Sequence, residues 1–408
     1  SLIKYPYGRS GTYMIPDSVT DIGDCAFGDC TRLTSVAIPN SVTNIGRWVF
    51  SGCTSLTRIT VDTANPKYSS LDGVLFNKEQ TSLIKYPYGR SGTYMIPDSV
   101  TNIGFEAFAK CARLNSVTIP DSVITIGDLA FYECARLTSV TIPDGVANIG
   151  DFTFSECTSL VSVTIPDSVT NIGDFAFCGC TSLVSVTIPD SVKAISKWAF
   201  AGCTRLTSVT IPDSVASIGE SAFSYCTSLT RVTIRGGVTN IDGGAFGDCT
   251  ALTNITVDAT NPNYSSLDGV LFNKAKTTLI QCPGGRNGTY TIPNSVTTIG
   301  ARAFDGCIHL TSVTIPDSVT TIGDGAFEGC TRLTSVTIPD SVTTIGDGAF
   351  ARCTALINIF FAGNAPTFGN WVFPDTPATL YYRPGTAGWW NATYSDYPIK
   401  LWVPAATP

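Results

Sequence analysis

Apolar and polar positions recur along the chain with a fixed beat, and residues 310–332 show one full unit. Leu310-Thr-Ser-Val313-Thr-Ile315 alternates apolar and polar, which predicts a half-buried strand with Val313 and Ile315 facing inward. Pro316 carries no N–H and ends the ladder. Asp317-Ser318 predict a turn in which a short side chain accepts a backbone N–H. Val319 and Ile322 return the chain to the core, and Gly323 permits a tight bend. Asp324-Gly-Ala-Phe327 reads as a short helical or 3-10 segment, capped by Asp324 and burying Ala326 and Phe327. Cys330 closes the coil before Leu333 begins the next.

The same unit returns every 23 residues. Ile-Pro pairs at Ile96, Ile119, Ile142, Ile165, Ile188 and Ile211 keep that spacing, as do Ile292, Ile315 and Ile338. Phe108, Phe131, Phe154, Phe177, Phe200, Phe223 and Phe246 keep the phase, and a cysteine follows each by three residues. One coil cannot bury its own apolar side; stacked coils can, with parallel strands ~4.8 Å apart. The period therefore predicts a solenoid.

The form Leu-x-x-Val-x-Ile-Pro-x-Ser-Val-x-x-Ile-Gly-x-x-Ala-Phe-x-x-Cys resembles the BspA-like, Treponema-type leucine-rich repeats of bacterial and protist surface proteins. The resemblance covers most of the chain. It implies an α/β repeat solenoid: a curved horseshoe of 23-residue coils, with a parallel β-sheet on the concave side and short helical or 3-10 segments on the convex side. It implies a cell-surface or extracellular location and an adhesive role, in contact with matrix proteins or other cells.

Two gaps of 58 residues break the spacing, from Ile38 to Ile96 and from Ile234, which holds the same place but is followed by Arg235, to Ile292. Each holds a 35-residue insertion, placed at about 62–94 and 258–290. Both read Asn-Pro-x-Tyr-Ser-Ser-Leu-Asp-Gly-Val-Leu-Phe-Asn-Lys. Gly73–Asn77 and Ser82–Tyr86 flank Lys78–Thr81, so a β-hairpin is expected. Leu83-x-x-Tyr86 is similar to the start of a repeat strand. Residues 1–16 repeat 82–97 letter for letter, so the chain is expected to begin inside a truncated insertion. Residues 1–361 are assigned to the solenoid. Residues 362–408 are expected to form a degenerate last coil and an aromatic cap containing Trp389, Trp390 and Trp402, because an open solenoid end needs covering.

Composition narrows the chemistry. Charged residues are 14% of the chain, against the usual ~25%, so the surface is built of neutral polar groups. A net charge of −7 provides no basic footprint for nucleic acid. No 18-residue apolar run predicts a membrane span. The single histidine, His309, stands where other coils carry arginine, and its reading is a surface residue. The Asp ladders after Pro and after Gly read as turn and cap residues. No enzyme activity, metal or cofactor is expected. The periodic, odd-numbered cysteines read as a ladder of buried thiols rather than a disulfide framework.

The outward positions of the repeat strands form a hydroxyl-rich face. Candidate binding residues there are Thr207, Ser208, Thr210, Thr230, Arg231, Thr233 and Asn254, with Arg58 on an earlier coil. The first insertion offers Lys85, Tyr86, Tyr88 and Arg90 on what reads as a protruding element; the second copy, Gln281-Cys-Pro-Gly-Gly-Arg286, lacks both tyrosines. The expected function is non-catalytic extracellular recognition by a monomer, through the concave face or the insertions. The expected partner is an extracellular or host protein. A carbohydrate-binding surface protein is the alternative, and an ice-binding threonine array is the least favoured reading.

Overall fold

The computed structural model describes residues 1–389 and 397–402. The chain divides into two compact units, Ser1–Thr204 and Arg205–Pro408. Each is a parallel β-solenoid, and the sequence change expected at residue 362 falls within the second unit.

A coil typically contributes one long strand and one short strand; the coil at 183–195 forms only the short one, Ala194–Ile195. In the first unit Gly11–Met14, Leu33–Ile38 and Arg58–Val61 pair in parallel. Val36 lies opposite Ile59 and Ile38 opposite Val61. In the second unit Ser208–Ile211, Arg231–Ile234 and Asn254–Val257 do the same. Identical register follows from identical sequence: a slip of one residue would turn the apolar positions outward. The short strands form a second parallel row, with Ile149 opposite Ile172 in the first unit and Ile322 opposite Ile345 in the second.

The third side of each coil is not helical. Among the described residues there is no helix, so the expected helical or 3-10 segments are replaced by consecutive turns. The coil at 127–134 shows why. Leu129 and Glu133 have φ of 57° and 55°, and left-handed residues at two positions out of eight break any helix. The N–H groups of Ala130, Tyr132 and Cys134 donate three residues back, to the carbonyls of Gly127, Leu129 and Phe131. Those of Leu129, Phe131 and Glu133, in between, donate to Asp151, Thr153 and Ser155 of the next coil. Alternate amides thus close the turn and tie coil to coil. A helix would spend all of them on itself.

Side chains complete the stitching. The phenyl rings stack along each unit: Phe108, Phe131, Phe154 and Phe177 lie 4.9–5.3 Å apart by centroid, within 9° of parallel. Phe304, Phe327 and Phe350 repeat the stack at 4.7 and 5.0 Å. The buried thiols donate to the phenylalanine carbonyl of the preceding coil, as from Cys157 to Phe131 at 3.1 Å and from Cys353 to Phe327 at 3.1 Å. Where the next cysteine would fall, Thr376 donates to Phe350 at 2.6 Å. The Asp after Gly accepts the backbone N–H of its counterpart one coil on, as Asp128 does from Asp151 at 3.0 Å. In the Pro-Asp-Ser-Val turns Ser168, Ser191, Ser318 and Ser341 donate to the preceding coil rather than accepting a local N–H, as Ser318 does to the Val296 carbonyl at 2.7 Å.

Gly323 also differs from its expected role. A Cβ there would lie 2.7 Å from the backbone nitrogen of Ala301. Close approach of the preceding coil, not a bend, excludes a side chain.

The first insertion is a three-stranded antiparallel meander, Tyr68–Leu71, Val74–Asn77 and Ser82–Lys85, one strand more than the expected hairpin. Buried Asn65 fixes its start by donating to the carbonyls of Pro39 and Val42 and accepting from the amides of Lys67 and Tyr68. Ser82–Lys85 then pairs in parallel with Asn102–Ile103, placing Leu83 opposite Ile103. Leu83 thus belongs to the short-strand row, not to a long repeat strand. The second insertion repeats the meander with Tyr264–Leu267, Val270–Asn273 and Thr278–Gln281.

At the end of the second unit Thr379–Tyr382 and Ile399–Leu401 extend the long-strand row in parallel. Trp389 is buried in the same core as Phe361, with ring centroids 4.7 Å apart. Trp402 lies against Phe360 at 5.2 Å. Trp390 lies outside the described residues.

Candidate functional site

The sequence proposed two places for binding, and the structure treats them differently. On the long-strand row of the second unit, pairing brings Ser208, Arg231 and Asn254 into one file, and Thr210, Thr233 and Thr256 into another. Side chains alternate across a strand, so both files stand on the face opposite Val209, Val232 and Ile255, which are buried. Thr207, Ser208, Thr210, Thr230 and Arg231 are exposed; Thr233 and Asn254 are half-buried. The Thr230 hydroxyl donates to the Thr207 carbonyl at 3.1 Å, and Thr253 to Thr230 at 3.2 Å, which orients one edge of the face. In the first unit Arg58 is exposed and pairs with Ser35. It abuts the first insertion, where a Cβ on Gly73 would meet its Cγ at 2.8 Å.

The insertion residues are interior. Tyr86 is 1% exposed, Tyr88 4% and Lys85 8%, so the expected protruding patch of aromatics and positive charge is not formed. Tyr86 is a rung of the aromatic stack. Its N–H donates to Ala107, its ring lies 5.1 Å from Phe108 and 4.8 Å from Tyr94, and its carbonyl accepts from the Cys111 thiol, as Phe108 accepts from Cys134. Tyr5, in the identical stretch at the start of the chain, is buried in the same way against Tyr13 and Phe27. Arg90 is half-buried; its guanidinium lies 5.1 Å over the Tyr86 ring and donates to the Asp72 carbonyl.

Lys85 donates through Nζ to the Glu106 carbonyl at 2.6 Å and to the Tyr88 hydroxyl at 3.1 Å. Burial lowers its pKa because the charged form loses hydration. The same cause raises that of Tyr88. Burial also raises the ladder thiols, with Cys111 and Cys157 pushed up to about 12. That removes thiolate, the reactive form. All 15 cysteines are free. Among the described residues no group of three or more His, Cys, Asp or Glu is placed to hold a metal ion, and no helix is long and apolar enough to cross a membrane.

The repeat, its register and its turn rows define a leucine-rich-repeat solenoid. The family described as BspA type Leucine rich repeat region (6 copies) matches residues 11–93, 88–169, 148–278 and 287–383, and the chain belongs to it. It is similar to a leucine-rich repeat protein from Eubacterium ventriosum, at 26% identity over 78% of this chain and 77% of that one, with a TM-score of 0.52. A leucine-rich repeat protein from Bacteroides ovatus is 25% identical over 99% of each chain, with a TM-score of 0.48. A leucine rich cell surface protein from Faecalibacterium prausnitzii is 29% identical over 88% of this chain and 90% of that one, with a TM-score of 0.40. No curated protein sequence matches the chain.

Proposed function

We propose that the chain is a non-catalytic recognition module, displayed at a cell surface or released from it, that binds an extracellular protein through the long-strand face. The observation that carries this reading is the alignment of Ser208, Arg231 and Asn254 in one file beside the exposed hydroxyls of Thr207, Thr210 and Thr230. A rigid sheet presents these groups at fixed spacing, so a partner meets them without ordering a loop. Arg231 supplies the anchor, since arginine is enriched among residues that dominate binding energy. Family membership agrees with this role. The glycan alternative loses the aromatic platform expected from Tyr86 and Tyr88, which are buried.

Surface plasmon resonance against a panel of extracellular-matrix proteins tests the proposal, with a glycan array alongside. Saturable protein binding that falls at least tenfold in Arg231→Glu is the expected result. Binding that survives in Arg231→Glu combined with Ser208→Lys would remove the strand face as the site. Binding to glycans alone would replace the protein partner with a sugar.

A further inference from the structure

The first insertion opens a cavity of about 460 Å³ between the coil carrying Trp48 and the coil carrying Glu106. That volume suits a small organic ligand. Leu75 and Leu83 contribute apolar wall, Lys85 and Tyr88 also line it, and two acidic residues, Glu106 and Asp128, stand at its edge. Trp48 and Phe105 line it too. Their rings meet edge to face at 6.3 Å, and each is more than two-fifths exposed. Trp48 holds a φ of 53°, at the same left-handed turn position that Leu129, Phe152 and Trp198 occupy in other coils.

The lysine is the unusual part. Its ammonium group is almost fully buried, yet among the described residues no carboxylate lies within ion-pair distance of it. Its two oxygen partners are neutral, and its other close neighbour is the face of the Tyr88 ring, 4.2 Å away by centroid, which carries no formal charge. The neighbouring Glu106 carboxylate accepts instead from the Trp48 indole at 2.7 Å. A buried charge without a counter-charge is costly, and an incoming anion relieves that cost. The second insertion has no such group: Gln281 stands in place of Lys85, and its amide donates to the Cys282 carbonyl.

We infer that this cavity is a binding site for a small organic carboxylate with a flat or branched apolar body, whose acid group meets Lys85 and whose body lies against Trp48 and Phe105. The same chemistry exists in a free small acid and in the C-terminus of a peptide ending in an aromatic residue. The site uses none of the strand-face residues proposed above.

Titration calorimetry of the whole chain tests it. The ligands are phenylacetate, indole-3-acetate and Gly-Gly-Phe with a free C-terminus, each beside its uncharged amide. At least one acid should bind saturably and at least tenfold more tightly than its amide. Lys85→Met should bring acid and amide within twofold of each other, and Glu106→Gln should keep the preference. If Lys85→Met unfolds, Trp48→Ala, at an exposed position, should weaken acid binding at least fivefold while thermal unfolding stays cooperative. Tighter binding of the free acids would identify a metabolite-type ligand, and tighter binding of the peptide a protein tail; either supports the site. Equal binding of acid and amide by the native chain, or no binding of any acid, would overturn it.

Discussion

The two insertions begin alike and end differently. Both start from a buried asparagine, Asn65 or Asn261, that bonds back to the preceding coil, and both form the same meander. They part where the chain re-enters the stack. In the first unit Tyr86 and Tyr88 fill the space between coils, and Trp48 and Phe105 stand across from each other with a cavity beside them. In the second unit the corresponding residues are Cys282, Gly284, Gly244 and Ala301. There a Cβ on Gly284 would lie 2.8 Å from the Cys249 carbonyl oxygen, and one on Gly244 would lie 2.9 Å from the Arg302 Cδ. One backbone plan thus carries four large aromatic side chains at one joint and none at the other, where the backbone of neighbouring coils crowds Gly284.

The largest expected effect comes from removing the rung. Tyr86→Ala should cost about 3–5 kcal/mol, the usual result for truncating a buried ring. Its counterpart Cys282→Ala removes roughly one methylene-sized group and should cost about 1 kcal/mol. Urea denaturation of the two variants measures both, and equal costs would break the comparison. Gly284→Tyr should cost about 3 kcal/mol through overpacking, because the obstructing atoms are backbone. An unchanged unfolding midpoint would show that the second joint can take a large ring as the first does.

A smaller effect concerns charge at the second joint. Asp305 is 5% exposed and sits 4.0 Å from Arg302. Burial, with Asp248 and Glu328 nearby, pushes its carboxyl up to about 7 despite Arg302 and Arg352. The folded state then holds a proton that the unfolded chain releases near pH 4. Stability contributed by this group is greatest in acid and falls as pH rises from about 4 to 7. Asp305→Asn should flatten that decline by on the order of 2 kcal/mol between pH 4.5 and 8. Parallel pH profiles for the variant and the native chain would assign the slope elsewhere.

The solenoid was legible because each coil meets a copy of itself. A 23-residue period in Ile, Phe and Cys forces register, and the buried files Val209–Val232–Ile255 and Phe108–Phe131–Phe154 follow from it. The turn row was not legible as turns. Asp-x-x-Phe has the look of a capped helical start, and nothing in Leu129, Phe152 or Phe175 announces a positive φ, which glycine would have signalled. The strand-face residues were readable from alternation alone. The tyrosines were not: in an ordinary coil the ring follows the inward Ile by five residues, as Phe108 follows Ile103, but Tyr86 follows Leu83 by three. That shortened spacing hid its place in the stack and made an interior segment look like a docking surface. The thiol ladder had a readable clue in Thr376, which keeps the cysteine phase and makes the same bond to the preceding coil.

The claim on which the rest depends is that Tyr86 and Tyr88 are interior. Nitration of the native chain followed by mass spectrometry tests it directly. Cleavage after Glu79 separates this segment from its copy at residues 5–9. Tyr7 and Tyr225, both exposed, should be modified early, while Tyr86 and Tyr88 stay protected until the chain unfolds. Modification of Tyr86 and Tyr88 at the rate of Tyr7 would place them on the surface and return the insertion to the binding site.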